Sequence, residues 1–339
     1  MSKARTVIKY LATLFVLLTA LPGFAQCTGT NLLHTMDPKD RAALEAASAS
    51  QPYPKGILWH ATRGTQSIHL VGTMHFFDPR HDATFTQAKP WIDAATTILL
   101  EAGEGDEARL QDKIAREPGL AFILQGPTLI DQLTPENWTR LRAAMAERGV
   151  PGFMVAKMKP WMALVTLSLS KCALLDQQNG RRGLDFNIID YAKQIGNPAQ
   201  ALEPYDTALS LFEQYTNAEM LDFLRLFLGQ EKFDPNDQHF TLIEAYFNED
   251  IRILWDLAVY QALADPQGMT RQEILDEYAR LEEALLKARN LAWMDRILPA
   301  AETGPVFLAA GALHLPGEFG VLNLLALEGF TITPIARTP

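Results

Sequence analysis

The chain has 339 residues, 48% of them hydrophobic and 21% charged, which is enough apolar content for one large core or two smaller ones and too ordinary a charge for a disordered or fibrous polymer. Its net charge of −10 argues against a nucleic-acid partner, because no basic stripe stands ready to neutralise phosphates. The only two cysteines, Cys27 and Cys172, are too far apart to suggest a zinc site, which usually draws on closely spaced pairs.

Residues 1–25 read as a signal peptide. Lys3, Arg5 and Lys9 precede an apolar stretch at 10–21, and Gly23-Phe24-Ala25 ends in a small residue suited to cleavage. That stretch is shorter than the roughly 20 residues of a membrane-spanning helix. The expectation is a secreted, periplasmic protein beginning near Gln26, with residues 26–55 as an amino-terminal tail and no transmembrane segment after cleavage. In an oxidising compartment a Cys27–Cys172 disulfide is open, as is lipidation of Cys27, which bulky Gln26 disfavours.

From Gly56 the pattern is a hairpin: an apolar run at 57–62, a turn at Arg63 and Gly64, and a returning strand at 67–72. The return delivers Gly72-Thr73-Met74-His75, a Gly-x-x-His at a strand's carboxyl end, where open α/β sheets build their sites. The glycine is expected to provide a sharp exit from the strand. A helix at 83–95 follows, then a β-branched run at 96–100 that stops at Glu101. His69 reads as a partly exposed sheet residue, and His81 as a loop residue within reach of the site.

The middle of the chain is mainly helical. Thr134-Pro135-Glu136 starts a helix that Gly149 closes, and 161–175 reads as one apolar helix. Asp185 begins a short helix ending near Ile195, and a short strand at 199–202 stops at Glu203. Segments 217–228 and 242–263 continue the helical pattern. Thr270 and Glu273 form a capping box for a long helix reaching about Leu298 and carrying Arg289 and Asn290 on its inner face.

The carboxyl-terminal segment repeats the opening: a strand at 306–310, Gly311-Ala312-Leu313-His314, a helix at 318–328 ended by Gly329, and a strand at 331–335. The expected fold is therefore α/β (α+β), a sheet core built from two β-GxxH-α-β units. A single domain at 56–339 would divide into sheet core at 56–105 and 303–337 and a mainly helical insertion at about 106–302. Only the first unit ends in an acid, Glu101.

Two histidines and a carboxylate are common ligands for a catalytic divalent metal with open positions, and His75, Glu101 and His314 supply them if the two units lie side by side. The same residues also suit metal-free chemistry: one histidine as general base toward water, kept basic by Glu101, with the other histidine or Arg289 stabilising the oxyanion. No Gly-x-Ser-x-Gly elbow, dinucleotide fingerprint or phosphate loop is present.

The order Leu70-Val71-Gly72-Thr73-Met74-His75, Leu99-Leu100-Glu101, Lys159-Pro160-Trp161, Gly183-Leu184-Asp185, Leu202-Glu203, Arg289-Asn290 and Gly311-Ala312-Leu313-His314-Leu315-Pro316-Gly317 resembles the TraB/GumN family, related to the TIKI proteins. The resemblance runs from about Gly56 to Ile335. It implies an α/β core with a helical insertion, with ChaN-like haem-binding proteins and erythromycin esterases as distant relatives. Through the TIKI proteins it implies a metal-dependent peptidase using manganese or cobalt at His75, Glu101 and His314. The expectation carried forward is a hydrolase in which a divalent metal (Mn, Co or Zn) on these three residues activates water for attack on an amide or ester. Arg289 joins the catalytic set, and Asp185, Glu203 and Asn290 are expected to meet substrate. Metal-independent esterase chemistry and turnover-free binding of a metal complex or haem are the alternatives.

Overall fold

The structure, a computed structural model, describes residues 29–229, 234–266 and 268–338. The signal-peptide reading and the Cys27 half of the disulfide and lipidation questions lie outside the described residues. A six-stranded mixed sheet organises the fold, and we number its strands along the chain: β1 Leu58–Arg63, β2 Gln66–Thr73, β3 Thr97–Leu100, β4 Gln200–Ala201, β5 Val306–Gly311 and β6 Thr331–Pro334. Their spatial order is β4-β3-β5-β2-β1-β6. The hairpin forms as expected, with Arg63 paired to Gln66 across a two-residue loop that Gly64 enters at φ +60°.

The two Gly-x-x-His strands are neighbours. β2 and β5 run parallel, with Gly72 opposite Ala310 and Thr73 opposite Gly311, so the second motif is displaced by one residue relative to the first. β5 is wholly apolar and β2 is fully buried from Leu70 to Thr73, because both faces of the sheet are covered there, as parallel strands require. On one face Val71, Ile98 and Phe307 pack with Ile92 of the His81–Ala94 helix, Ile188 of the Leu184–Gln194 helix and Tyr246 of the Pro235–Phe247 helix. On the other, Leu70, Leu99 and Leu308 pack with Trp293 and Ile297 of the Ala288–Thr303 helix and with Val321 and Leu325 of the Val321–Leu327 helix. The helical insertion has a separate core around Leu141, Met145, Leu167 and Leu224.

Three element boundaries differ from the sequence reading. The apolar run at 161–175 is two helices, Pro160–Ser168 and Lys171–Gln178, because the Ser170 hydroxyl accepts the Ala173 N–H and caps a new start. The 242–263 run is likewise two, Pro235–Phe247 and Arg252–Ala264, broken where Glu249 takes φ +60°. Residues 26–55 are more than a tail where described: Leu32–Thr35 and Pro38–Ala49 are helical, and Leu33 and Leu44 pack on Ala245, Ile253 and Leu257.

The Thr270–Glu273 capping box forms, and its helix continues as Arg271–Glu282, a π-helical turn at Glu283–Lys287, and Ala288–Thr303. Such a turn adds a residue to the helical ladder and frequently marks a functional site. Here it comes immediately before Arg289.

Candidate active site

Each motif glycine makes room for the other motif. A Cβ on Gly72 would lie 2.9 Å from Leu315 Cδ1 and 3.1 Å from Ala312 Cα, and one on Gly311 would lie 3.0 Å from Glu101 Oε1, 3.7 Å from His314 Cδ2 and 3.9 Å from His75 Nε2. Neither glycine has positive φ, so the expected backbone turn is not the reason for them; close approach is. The same distances show that His75, Glu101 and His314 converge over Gly311. The neighbourhood the sequence predicted is therefore formed.

Arg289 occupies the centre of it. The guanidinium donates through Nε to Glu203 Oε2 at 2.8 Å, through Nη2 to Glu203 Oε1 and Glu101 Oε2 at 2.7 Å each, and through Nη1 to the Leu285 carbonyl at 3.0 Å and His314 Nε2 at 3.1 Å. An arginine has five N–H donors, and all five are engaged. Arg289 thus has none left for an oxyanion. Its role in this arrangement is to lock the ends of β3, β4 and β5 to one cation. Glu203, expected to meet substrate, completes the lock by accepting the Trp293 indole N–H at 3.0 Å, so that its carboxylate is engaged by Arg289 and Trp293.

His314 is buried, with 6% of its side chain exposed. Its Nδ1 lies 2.6 Å from Asn290 Oδ1, and the indole of Trp293 packs on its ring at 4.4 Å between centroids. With Arg289 donating to Nε2, the consistent tautomer is neutral and carries its proton on Nδ1. Burial pushes its pKa down to about 4, with Arg289 and His75 adding to the effect and Glu101 opposing it. Asn290, also buried, spends its amide N–H groups on the carbonyls of His314 and Phe319. Asn290, expected to meet substrate, holds the second motif's loop through these bonds.

Glu101 accepts the Gly311 N–H on Oε1 and Arg289 on Oε2. Burial works to raise its pKa, but His314, His75, Arg289 and the Gly311 N–H outweigh it and hold the carboxyl down to about 2. It is ionised throughout the physiological range.

His75 is different: 64% of its side chain is exposed. Its Nδ1 lies 3.2 Å from Asp185 Oδ2. Poor solvation on the protein side works against a charge on the ring. The hydrogen bond to Asp185 and the carboxylates of Asp185 and Glu101 outweigh that and raise its pKa to about 9, with Arg289 opposing. Asp185, expected to meet substrate, instead orients His75, while its buried Oδ1 has no protein hydrogen-bond partner.

Gly183 explains how Asp185 gets there. A Cβ on it would lie 2.1 Å from the Met74 carbonyl and 2.6 Å from His75 Cα, and the next residue's N–H donates to that carbonyl at 3.1 Å. The helix bearing Asp185 therefore starts against the backbone of the first motif. Tyr246, on another helix of the same face, donates its hydroxyl to the Gly72 carbonyl at 2.8 Å and supports the motif's first residue. Sequence reasoning passed over Tyr246 and Trp293 because an aromatic at helical spacing reads as core, which both also are. His81 is buried against Tyr246 and Phe247 with Nε2 at 3.0 Å from the Phe76 carbonyl, so it serves the loop after the motif, not the reacting centre. His69 stacks between His60 and Trp91.

A divalent metal on His75, Glu101 and His314 does not fit the arrangement as it stands. It would have to take a Glu101 oxygen and the His314 Nε2 lone pair from Arg289, beside a guanidinium that Glu203 pins in place. Among the described residues no three His, Cys, Asp or Glu side chains are set to hold a metal ion. None of the described helices is long and apolar enough to cross a membrane.

Fold and site together define an α+β protein whose two central parallel strands end in paired histidines, one buried and one open, around an arginine–carboxylate lock. Residues 57–334 match the TraB/PrgY/gumN family model, and the chain belongs to that family. No curated protein and no solved structure matches it.

Proposed function

We propose that the protein is a secreted hydrolase in which His75, oriented by Asp185, transfers the proton for attack of water on an ester or amide. The observation that carries this reading is the contrast in engagement: Arg289, Glu203, Asn290 and His314 satisfy one another, whereas His75 is held by a carboxylate on Nδ1 and open on its other side. A histidine with one nitrogen fixed by a largely enclosed carboxylate and the other open is the arrangement of a general base.

Neutral His75 takes a proton from water on Nε2 as the water oxygen bonds to the carbonyl carbon. It returns that proton to the alcohol or amine as the C–O or C–N bond breaks. Glu101, ionised and fixed beside the space over Gly311, keeps the imidazolium stable between the two transfers. Secretion rests on the basic-then-apolar leader at 1–25.

The test is a screen of p-nitrophenyl esters and a peptide library on purified mature protein, with and without EDTA and with added Mn or Co, beside His75→Ala. Hydrolysis that ignores the chelator and vanishes in His75→Ala is expected. Activity that needs added metal and is lost equally on substituting His75, Glu101 or His314 would replace the metal-free mechanism by the metal-dependent one. Absence of hydrolysis together with haem retained in the visible spectrum would replace both by a binding function.

A further inference from the structure

We infer that an apolar cavity in the helical insertion receives a large uncharged hydrocarbon portion of the substrate, so that the preferred substrates are esters or amides of long aliphatic or aromatic acids. The inference deepens the hydrolase reading and rests on it.

The cavity has a volume of about 470 Å³. Phe212, Met220, Phe223, Ile274, Tyr278 and Leu285 are among the residues that line it, drawn from helices on opposite sides of the insertion. That volume lies within the range of small-molecule sites, roughly 300–1,000 Å³, which are mostly apolar with a few polar groups.

Its ionisable wall residues give the sign of the occupant. They include Glu277 and Asp265 but no lysine or arginine. Glu277 accepts the Tyr215 hydroxyl at 3.2 Å and pairs with Arg280 outside the lining. A free fatty-acid carboxylate would find no cation among the lining residues and a mostly apolar wall, which disfavours an anionic head at the inner end. A neutral hydrocarbon end meets no such cost.

Two connections tie the cavity to the site. Leu285, on the π-helical turn, lines the cavity and offers its carbonyl to Arg289 Nη1. On the far side of the same arginine, Glu203 lies just before the Thr207–Glu213 helix, whose Phe212 forms another part of the cavity wall. The Leu285 support of the arginine is thus itself part of a cavity wall, and Glu203 is joined to another wall by a short stretch of chain.

The experiment uses the mature protein with p-nitrophenyl acetate, butyrate and octanoate, and the neutral fluorophore N-phenyl-1-naphthylamine as a direct probe of the cavity. Ala262→Trp and Leu211→Trp each add bulk at a partly buried wall position, and thermal melts show whether either has lost its fold. The expected result is at least about a tenfold rise in kcat/KM from acetate to octanoate, lost in both variants while acetate hydrolysis stays within about twofold. Dye binding is expected to disappear in parallel. Hydrolysis independent of chain length, or dye bound equally well by both folded variants, would overturn the inference. Dye binding displaced by octanol and lost in the variants, with no ester or amide hydrolysed, would overturn the hydrolase reading and leave the cavity's ligand class standing.

Discussion

His75 and His314 end neighbouring parallel strands in the same four-residue motif, yet they occupy opposite states. His314 is sealed beneath Trp293 and held neutral, while His75 stands open and its pKa is raised to about 9. The difference lies in what packs on each motif. The Ala288–Thr303 helix brings Asn290 and Trp293 over the second and begins at the π-helical turn that sets Arg289. The Leu184–Gln194 helix approaches the first only by its glycine-led start and contributes one carboxylate. A repeated motif specifies a position, and the surrounding helices determine its chemistry.

The contrast can be broken most severely at the base. His75→Ala should reduce kcat by about 10²–10⁴-fold, the usual span of general acid–base catalysis, with a thermal melt close to the parent's because the ring is exposed. An equal loss of stability would mean that His75 is structural. Arg289→Ala should do the reverse, costing about 3–5 kcal/mol in denaturant unfolding by leaving Glu101 and Glu203 without their shared cation. Arg289→Lys should restore only part of this, since an ammonium cannot reproduce the planar five-donor fork.

Gly311→Ala tests the space between the two histidines. The added methyl would press on Glu101 and intrude beside His75 Nε2, so activity should fall by about tenfold or more while folding persists, read as kcat against melting temperature. Asp185→Asn removes the charge that raises His75 and leaves at most a neutral acceptor for Nδ1–H. The alkaline limb of kcat/KM, rising toward about 9 in the parent as His75 loses its proton, should move toward lower pH. A descending limb at that pH would make His75 the acid instead.

The smallest effect concerns the buried partner. His314 has its pKa lowered on folding, so the unfolded chain binds the extra proton first. The His314 contribution should be complete above the unfolded value near 6.5 and decline as pH falls toward about 4, with Glu101 extending the loss from about 4.5 toward about 2, while His75 works the other way and loses its contribution as pH rises from 6.5 toward about 9. Urea midpoints measured across this range would show it, and His314→Gln should flatten the upper part.

Much of this arrangement was legible in the residues. The strands follow from their apolar runs, and the match of the two Gly-x-x-His contexts foretold that β2 and β5 would be neighbours. What a linear pattern does not carry is which side chain meets which. Arg289 read as a catalytic cation because its five hydrogen bonds go to three distant segments and the preceding turn. Asp185 read as a helix cap or substrate contact because its partner, His75, lies just past a strand far back in the chain. The helix breaks at Ser170 and Glu249 were missed because apolar periodicity runs through both. The glycines were located correctly and explained wrongly: crowding by the opposite motif is invisible until the strands are set side by side.

The placement of β5 bears on how the molecule is made. It joins β3 and β4 on one side to β2 and β1 on the other, and it is supplied by nearly the last part of the chain. During synthesis the hairpin and the β3–β4 pair would wait, with open edges, for a strand that comes only after the whole helical insertion. Such late, non-local closure makes folding slow relative to local helix formation. For a chain read as exported, that delay is an advantage: the sheet cannot lock before β5 has been made, so the segments preceding it stay threadable for longer.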